Sequence, residues 1–326
     1  MTRVTVVGAG VMGCAAAWAL TARGAEVTVL ERFDLDHVRG SSHGRSRIVR
    51  LAYPEPEWVR LAEEAMAGWR ELERQSGQEL LGLYGLVELT SSAALSATRA
   101  LDTCGIEYRL LDEAAARGLG AAVPEGWTAL HQPEAGIVRA DLARHAFLDV
   151  ARSRGASVQT GVRVSAVDDV EADAVVVTAG SWVRELAPGV PVRVTRETVA
   201  YFALDHPQAS IVELNEHTGG HGMYSLHDPV HGLKVGAHHA GPEVDPDLEG
   251  RPEPELVERI VAWVAARLPD VEPTPVAAET CLYTSTADES FVLERRGRVV
   301  VGSPCSGHGF KFAPAIGRQL AELALQ

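Results

Sequence analysis

Two lysines stand apart among the basic residues of this 326-residue chain. Of its 30 basic residues, only Lys234 and Lys311 are lysines, and all the others are arginines. Arginine is a planar fork with a permanent charge, whereas lysine is a compact point charge that can approach a single atom and change its pKa. This usage favours a chemical role for both lysines, and chance retention of two ordinary lysines is the alternative.

A glycine-rich turn near the N-terminus has the spacing of a dinucleotide-binding site. Its residues follow a predicted strand and open a predicted helix, and they are Gly8, Gly10, Val11, Met12 and Gly13. In such a turn the first glycine makes the bend, the second admits the pyrophosphate, and the third lets the helix pack on the sheet. Amides at the start of the helix favour the phosphates. Glu31 ends the next predicted strand, where a carboxylate accepts hydrogen bonds from a ribose.

The elements that position this turn are predicted from the spacing of apolar residues. Buried-type apolar runs predict strands at 3–7, 27–30, 174–177 and 299–301. Apolar residues at helical spacing, or helix-forming segments, predict helices at 12–23, 58–72, 141–152, 256–268 and 316–325. Segments typical of an antiparallel sheet lie at 83–90, 192–204, 210–213, 223–227 and 233–238.

The order of these segments predicts an α/β Rossmann-type nucleotide-binding domain that is discontinuous in sequence. An α+β substrate domain, built on a largely antiparallel sheet, is inserted into it in two pieces. We assign residues 1–82, 140–191 and 284–326 to the nucleotide domain, and residues 83–139 and 192–283 to the substrate domain. Two domains suit this length, because a single hydrophobic core usually stops growing at about 250–300 residues.

The composition argues against several classes of partner and site. A net charge of −14 disfavours nucleic acid and anionic membranes. No apolar run approaches the roughly 20 residues of a membrane span, and the first residues lack a signal-peptide pattern, so we expect a cytoplasmic protein. The four cysteines, Cys14, Cys104, Cys281 and Cys305, have neither zinc-site spacing nor the density of a disulfide scaffold, and we expect no metal site.

A longer pattern around the glycine turn separates FAD from NAD. It resembles the extended fingerprint of the D-amino-acid oxidase superfamily at Gly8, Gly10, Gly13, Ala17, Leu20, Gly24, Val27 and Glu31. The stretch Thr178-Ala-Gly180-Ser-Trp182 is similar to the second FAD-contacting segment of that superfamily, and an ordinary strand end is its alternative. The resemblance therefore implies FAD.

Four further segments resemble the family of monomeric sarcosine oxidase and N-methyltryptophan oxidase. They are Gly40-Ser-Ser-His-Gly-Arg-Ser-Arg47-Ile-Val-Arg50-Leu-Ala-Tyr53, Gly232-Leu-Lys234-Val-Gly-Ala-His238, Cys281-Leu-Tyr283-Thr and Ser306-Gly-His308-Gly-Phe-Lys311-Phe. Both lysines fall in these segments. Arg45 and Ala237 depart from the family pattern, which bears on the substrate rather than on the flavin.

The resemblance implies roles for the charged residues and for one cysteine. Cys281 would carry the flavin through a thioether, with Cys305 as the second candidate and packing roles for Cys14 and Cys104. Arg50 and Lys311 would bind a substrate carboxylate, and their alternative is a pair of surface cations. Arg47 would lie over the flavin ring, with a salt bridge to Glu55 or Glu57 as its alternative. Lys234 would activate oxygen.

The remaining site residues are polar or aromatic. Lying between glycines, His308 would be presented to the amine without packing, and His238 would share that site; a structural role is the alternative for both. Tyr283 and Tyr224 would line the pocket or pack in the core. The resemblance further implies flavin contacts for Arg32, Ser41, Ser42, Arg47, Thr178, Gly180, Gly307, Gly309 and Lys311.

These residues imply an FAD-dependent amine oxidase. Hydride would pass from the carbon beside the nitrogen to the flavin, water would hydrolyse the imine, and oxygen would leave as hydrogen peroxide. A small secondary amine with a carboxylate fits, as an N-methyl amino acid such as sarcosine or as a cyclic imino acid. The partners would be this amine and O₂, and the protein a monomer. Two alternatives stay open: an NAD-dependent dehydrogenase, and a non-catalytic flavin-binding subunit of a hetero-oligomeric oxidase.

Overall fold

The computed structural model describes residues 1–91, 96–213 and 222–326. Its strands, in chain order, are β1 (Arg3–Val7), β2 (Glu26–Leu30), β3 (Ser46–Val49), β4 (Leu81–Gly82), β5 (Leu86–Ser91), β6 (Arg109–Leu111), β7 (Trp127–Gln132), β8 (Gly136–Arg139), β9 (Ser157–Gln159), β10 (Ala174–Val177), β11 (Arg193–Ala203), β12 (Ser210–Glu213), β13 (Met223–Asp228), β14 (Gly232–Ala237), β15 (Pro275–Ser285), β16 (Val292–Arg296) and β17 (Val299–Ser303). Its α-helices are α1 (Val11–Ala22), α2 (Pro56–Ser76), α3 (Ser96–Cys104), α4 (Glu113–Arg117), α5 (Ala140–Ser153), α6 (Val183–Leu186), α7 (Pro254–Arg267) and α8 (Ala313–Leu325).

A six-stranded sheet carries the glycine turn. Its order is β16-β17-β10-β1-β2-β9, and all of its pairs are parallel except the edge pair β16–β17. The valine runs of β1 and β10 are buried, as expected for parallel strands that are covered on both faces. Helix α1 packs between α5 and α8 against one face. Because the strands are parallel, their carboxyl ends meet at one edge, where such sheets bind ligands.

An eight-stranded sheet forms the second layer. Its order is β15-β11-β14-β13-β12-β5-β7-β6, and every pair is antiparallel except β12–β5. Helix α7 covers one face by burying Ile260, Trp263 and Val264 with apolar side chains of the sheet. A three-stranded sheet, β3-β8-β4, lies between α5 and β13. The predicted fold class is confirmed, with an α/β layer and a largely antiparallel sheet.

The boundaries of individual strands and helices agree less closely with the sequence predictions. The strand expected at 83–90 begins at Leu86, because residues 81–82 pair with β8 instead and Gly85 turns the chain at a φ of +86°. The sequence did not predict strands β3, β4, β6, β7, β8, β9, β15 and β16 or helices α3, α4 and α6. The assigned domain boundaries stay a prediction, and the substrate domain includes residues 92–95 and 214–221, which lie outside the described residues.

Candidate active site

A cavity of about 510 Å³ joins the two large sheets. At one end it is lined by the glycine turn and Glu31, which lie at the carboxyl edge of the parallel sheet. At the other end it is lined by Lys234 and Cys281 of the eight-stranded sheet and by Lys311, which precedes α8. Motif residues that are far apart in the sequence therefore line one continuous cavity.

The backbone is packed so closely at the glycine turn that no side chain would fit there. Gly8 has a φ of +101°, and a Cβ there would lie 2.6 Å from the carbonyl oxygen of Thr178. A Cβ on Gly13 would lie 1.8 Å from the carbonyl oxygen of Gly8. The first turn of α1 therefore packs directly on the end of β1 and lines the cavity, as expected for the cradle of a pyrophosphate.

Glu31 lies where a ribose-binding carboxylate is expected, and the surrounding backbone fixes it. Its carboxylate accepts hydrogen bonds from Ala9 N at 2.7 Å and from Phe33 N at 3.0 Å. Ser42 Oγ accepts a hydrogen bond from Val11 N at 3.0 Å, so the segment after β2 is tied to the start of α1. The residues present therefore fit the adenosine and pyrophosphate parts of FAD.

Arg32 and Trp182, which line the cavity near the glycine turn, both contact Asp247. Arg32 Nη1 lies 3.0 Å from Asp247 Oδ1, and Trp182 Nε1 donates to the same carboxylate oxygen at 2.9 Å. The Arg32 guanidinium also lies 4.9 Å from the ring centre of Phe33. Gly180 lines the cavity beside these residues. Arg32 is thus partly neutralised, and its contact with a cofactor stays a prediction.

Arg47 is held by carbonyl oxygens rather than by a carboxylate. It donates to Ser46 O at 2.8 Å, to Ser41 O at 2.9 Å and to His43 O at 2.5 Å. Among the described residues, no carboxylate lies within 4.0 Å of it, so the alternative salt bridge to Glu55 or Glu57 is not formed. Its charge is therefore available to the cavity.

Lys234 lies beside Arg47 in the interior. It is 5% exposed, and burial together with the Arg47 charge lowers its pKa to about 8. A Cβ on Gly44 would lie 3.3 Å from Arg47 Nη1 and 3.9 Å from Lys234 Nζ, so glycine at this position lets the two cations approach the same point. The pair forms a centre of positive charge that suits an anion or a developing negative charge.

Cys281 lies near this positive centre. It belongs to β15 and Lys234 to β14, the two strands that flank β11, where their partners are Glu197 and Tyr201. Burial raises the pKa of the Cys281 thiol, whereas the charges of Lys234 and Arg47 lower it. The thiol lines the cavity, so it meets the positional requirement of a flavin-attachment residue.

The other three cysteines differ in position. Cys305 also lines the cavity, and its Sγ accepts a hydrogen bond from Thr284 N at 3.4 Å. Cys14 is fully buried in α1 and donates to Ala9 O, and burial raises its pKa to about 12. Cys104 packs against the core at the end of α3. Cys281 and Cys305 therefore remain the two candidates for attachment.

Arg50 and Lys311 both line the cavity, and both lie close to the Tyr53 ring. The Arg50 guanidinium lies 4.9 Å and Lys311 Nζ 5.7 Å from the centre of the Tyr53 ring. Lys311 Nζ donates to His308 O at 2.7 Å, and burial followed by the Arg50 charge lowers its pKa well below the ordinary value. Arg50 Nη1 lies 3.2 Å from Glu88 Oε2. Lys311 is buried and Arg50 is half-buried and paired, so the alternative of free surface cations is wrong.

His308 lines the cavity, but its predicted presentation without packing is wrong. Its ring lies 4.9 Å from that of Phe291, in a stacked arrangement, and 5.2 Å from that of Trp58. His308 Nε2 lies 3.1 Å from Glu289 O. Burial and the Lys311 charge lower the His308 pKa to about 3, so the ring is neutral at physiological pH. Its aromatic neighbours fix the ring.

His238 and the two tyrosines form the wall opposite His308. His238 Nδ1 lies 3.3 Å from Tyr283 Oη, and Tyr224 lines the same part of the cavity. Burial, reinforced by His239, lowers the pKa of His238 well below its usual value, and burial raises the pKa of Tyr283 well above its own. These side chains are therefore neutral hydrogen-bonding groups near the cations Lys311 and Arg50.

His238, His239 and Glu289 are the described residues whose ligand atoms come within 4.8 Å of one another, close enough for a metal ion. His239 Nε2 lies 3.4 Å from Glu289 Oε1, and the Glu289 side chain is exposed. The expectation that the site uses no metal stays a prediction.

Sequence reasoning missed two residues of this site. Glu88 was not considered, although a single acidic residue inside the apolar run of β5 is itself a signal of a buried charge. His43 lies in the arginine segment, and its ring nitrogens lie 2.9 Å from Gly40 O and 3.0 Å from Thr280 O. It thereby connects that segment to β15 immediately before Cys281.

The sheet topology, the glycine cradle and the cavity together define a dinucleotide-dependent oxidoreductase. The family model described as FAD dependent oxidoreductase matches residues 3–323, and the chain belongs to this family. FAD rather than NAD is therefore its cofactor. Among the described residues, no helix is both long and apolar enough to cross a membrane.

Individual relatives agree with this family. The peroxisomal sarcosine oxidase of Homo sapiens is 33% identical, over 98% of this chain and 91% of that protein. The monomeric sarcosine oxidase of Bacillus sp. (strain B-0618) is 30% identical, over 99% of this chain and 92% of that protein. NikD in its open form, an unusual amino acid oxidase essential for nikkomycin biosynthesis, has a TM-score of 0.86 at 23% identity, covering 100% of this chain and 95% of that one. The predicted resemblance to sarcosine oxidases and the predicted FAD-dependent oxidase are confirmed.

Proposed function

We propose that this protein oxidises a small secondary amine that bears a carboxylate, such as an N-methyl amino acid or a cyclic imino acid, and reduces O₂ to H₂O₂. The observation that carries the proposal is the arrangement of charge in one cavity. Arg50 and Lys311 supply cations at one end, and Arg47 and Lys234 supply a second pair beside Cys281. The names of the sarcosine oxidase relatives support the choice of amine.

The two cations beside Tyr53 bind the substrate carboxylate. Arg50 offers a fork of N–H groups and Lys311 a point charge, and both are buried, so water competes weakly for the ligand. A carboxylate that binds here makes the charged form of Lys311 more favourable, which reverses the effect of burial on its pKa. The carboxylate end of the substrate is thereby fixed.

Neutral groups surround the amine end. His308, His238 and Tyr283 present ring nitrogens and a hydroxyl without adding charge, because burial holds the histidines deprotonated and the tyrosine protonated. A secondary amine must be uncharged to lose a hydride from the neighbouring carbon. A wall of neutral acceptors and donors beside cations favours that uncharged form.

Bound FAD supplies the two-electron acceptor, which takes the hydride and passes the electrons to oxygen. Arg47, Lys234 and the backbone cradle of α1 would hold it, and the positive centre of Arg47 and Lys234 would favour negative charge that develops nearby. Cys281 would be the residue that attaches the flavin, through its thiol sulfur.

The decisive experiment measures H₂O₂ release from a panel of amines under air. We expect turnover of N-methyl amino acids or cyclic imino acids, and none of the corresponding methyl esters, which lack the carboxylate charge. Peroxide from esters and acids alike would contradict carboxylate recognition. Light scattering on the same preparation tests the expected monomer, and a monomer that turns over alone is incompatible with a non-catalytic subunit. A cytoplasmic location is expected and can be checked by fractionation.

A further inference from the structure

Arg50 has a carboxylate partner inside the protein. Its Nη1 lies 3.2 Å from Glu88 Oε2, and the two side chains are only 16% and 4% exposed. Glu88 belongs to β5, which lies between β12 and β7 in the interior of the eight-stranded sheet. A charge in that position is costly unless it is paired, so the contact is a fixed part of the site.

Glu88 acts on the cavity only through Arg50. Side chains alternate along β5: Val87 and Leu89 join the core under α7, whereas Leu86 packs with Val212 on the other face. Glu88 shares the face of Leu86, which is the face of the cavity. Arg50 lines the cavity and Glu88 does not, so the carboxylate lies one residue behind the wall.

This arrangement sets the charge of the substrate-carboxylate end. Among the described residues, no carboxylate lies within 4.0 Å of Lys311, and Arg50 is paired with Glu88 alone. Burial raises the pKa of Glu88, and the Arg50 charge opposes this, while a bound carboxylate favours the charged form of Lys311. In the liganded site with all three groups ionised, two cations and one anion leave a single net positive charge. One ligand carboxylate neutralises it, whereas a ligand with two carboxylates leaves an uncompensated negative charge in a buried site, which is unfavourable.

We propose that Glu88 is the positioning residue of this site and sets its charge specificity. It holds Arg50 through Nη1, leaves the other N–H groups of the fork to the ligand, and limits the site to a single carboxylate. The inference rests on the proposed function, in which Arg50 and Lys311 bind the substrate carboxylate. It adds the prediction that monocarboxylate amines are accepted and dicarboxylate amines, such as N-methyl derivatives of acidic amino acids, are rejected.

The test compares three probes that cannot be oxidised at nitrogen, because sulfur replaces it: (methylthio)acetate, (methylthio)succinate and the methyl ester of the first. Binding to the FAD-loaded enzyme is followed by flavin absorbance. Glu88→Gln keeps the size and an acceptor oxygen but removes the charge. At an effective dielectric near 20, losing one charge about 7–10 Å from the ligand should tighten the monoanion roughly 15- to 60-fold, and the dianion by a larger factor because its second carboxylate also loses the repulsion. The ester should bind as before.

A matched control is available on the neighbouring strand. Glu213 of β12 is also buried and accepts a hydrogen bond from Arg267 Nε at 2.6 Å. Unlike Arg50, however, Arg267 does not line the cavity, and neither does Glu213. Glu213→Gln removes a comparable buried charge pair and should leave all three affinities unchanged. If Glu88→Gln folds poorly, Glu88→Leu serves instead, since it also lacks the charge and should shift the dianion-to-monoanion ratio in the same direction.

Two results separate the inference from the proposed function. If Glu88→Gln gives the same dianion-to-monoanion ratio as wild type and as Glu213→Gln, then Glu88 is only structural and the inference is overturned. If Arg50→Met and Lys311→Met leave (methylthio)acetate affinity unchanged, the carboxylate site itself has been assigned wrongly. Weakening in those two variants, together with a shifted ratio in Glu88→Gln, supports both.

Discussion

At the scale of single residues, Lys234 has the feature that oxygen chemistry requires, which is a fixed positive charge inside the protein. It is buried next to Arg47, and its pKa is lowered to about 8. Electron transfer to O₂ creates negative charge on oxygen, whereas neutral substrate groups respond little to a nearby cation. The two half-reactions should therefore depend very differently on this residue.

We expect Lys234→Met to slow reoxidation of the reduced enzyme by about three decades. A unit charge at about 4 Å and an effective dielectric near 20 supplies roughly 4 kcal/mol, which corresponds to that factor. Stopped-flow absorbance follows the two half-reactions separately, and anaerobic reduction should change much less. The ammonium is charged below its pKa, so wild-type reoxidation should slow as pH rises through about 8, or somewhat higher because reduced flavin is itself anionic.

The other lysine provides the control. Lys311→Met should slow reduction through weaker substrate binding and leave reoxidation nearly unchanged. Lys234→Arg keeps the positive charge on a bulkier side chain. A reoxidation rate between those of Lys234→Met and wild type would show that the charge matters, whereas a rate as low as that of Lys234→Met would show that the size of the side chain matters. Reoxidation of Lys234→Met at the wild-type rate would show that the lysine is structural.

Lys311 gives a second prediction, because its pKa is lowered by burial and by Arg50. A charge-assisted hydrogen bond contributes roughly 1.5–3 kcal/mol, so Lys311→Met should weaken (methylthio)acetate binding about 10- to 150-fold. In the wild type, binding takes up a proton wherever free Lys311 is neutral. Affinity should therefore be constant at low pH and fall as pH rises above the lowered pKa. A pH-independent affinity, or an unchanged affinity in Lys311→Met, would contradict this role.

At the scale of elements, we expect the contact of β1 with α1 to determine cofactor binding. Because a Cβ on Gly13 would lie 1.8 Å from Gly8 O, Gly13→Ala must push α1 away from the sheet. We expect the purified variant to lose most of its FAD, measured by its visible absorbance relative to protein. Gly118→Ala is a suitable control, since its φ is ordinary and a Cβ there meets nothing nearer than 3.4 Å. Full FAD content in Gly13→Ala would contradict the assigned cradle.

At the scale of the whole molecule, a covalently held FAD would join the two sheets. The glycine cradle belongs to the parallel sheet and Cys281 to the eight-stranded sheet, and both line one cavity. We expect acid-precipitated wild type to stay yellow, whereas Cys281→Ser should release its colour into the supernatant. A free ligand stabilises a protein in proportion to the logarithm of its concentration. Added FAD should therefore raise the Tm of Cys281→Ser but not that of the wild type.

Cys305→Ser is the matched control for this prediction. It also lines the cavity but belongs to the loop before α8, and it should retain its flavin after acid. If acid released flavin from Cys305→Ser but not from Cys281→Ser, the attachment residue would be Cys305. Free flavin in acid-treated wild type would falsify the covalent assignment as a whole.

The sequence by itself determined the features that depend on local pattern. The glycine turn, Glu31 and the strand–helix–strand unit can be predicted from residue spacing within some thirty residues. Each glycine in the turn has a local reason, because a side chain at its position would obstruct the turn, the pyrophosphate or the packing of the helix. The scarcity of lysine drew attention to Lys234 and Lys311, and both line the cavity. Short motifs also located Arg47, Arg50 and Cys281, because each motif is carried by one strand or loop.

Only the tertiary structure decided how these segments meet. Glu88 pairs with Arg50 across 38 positions of sequence, and a shift of one residue in the register of β5 would turn its carboxylate into the opposite core. Arg47 donates hydrogen bonds to carbonyl oxygens instead of pairing with Glu55 or Glu57. His308 packs in an aromatic cluster contributed by other elements. Charge balance and pKa depend on burial and on neighbours brought in from distant strands, and neither is encoded in the spacing of a motif.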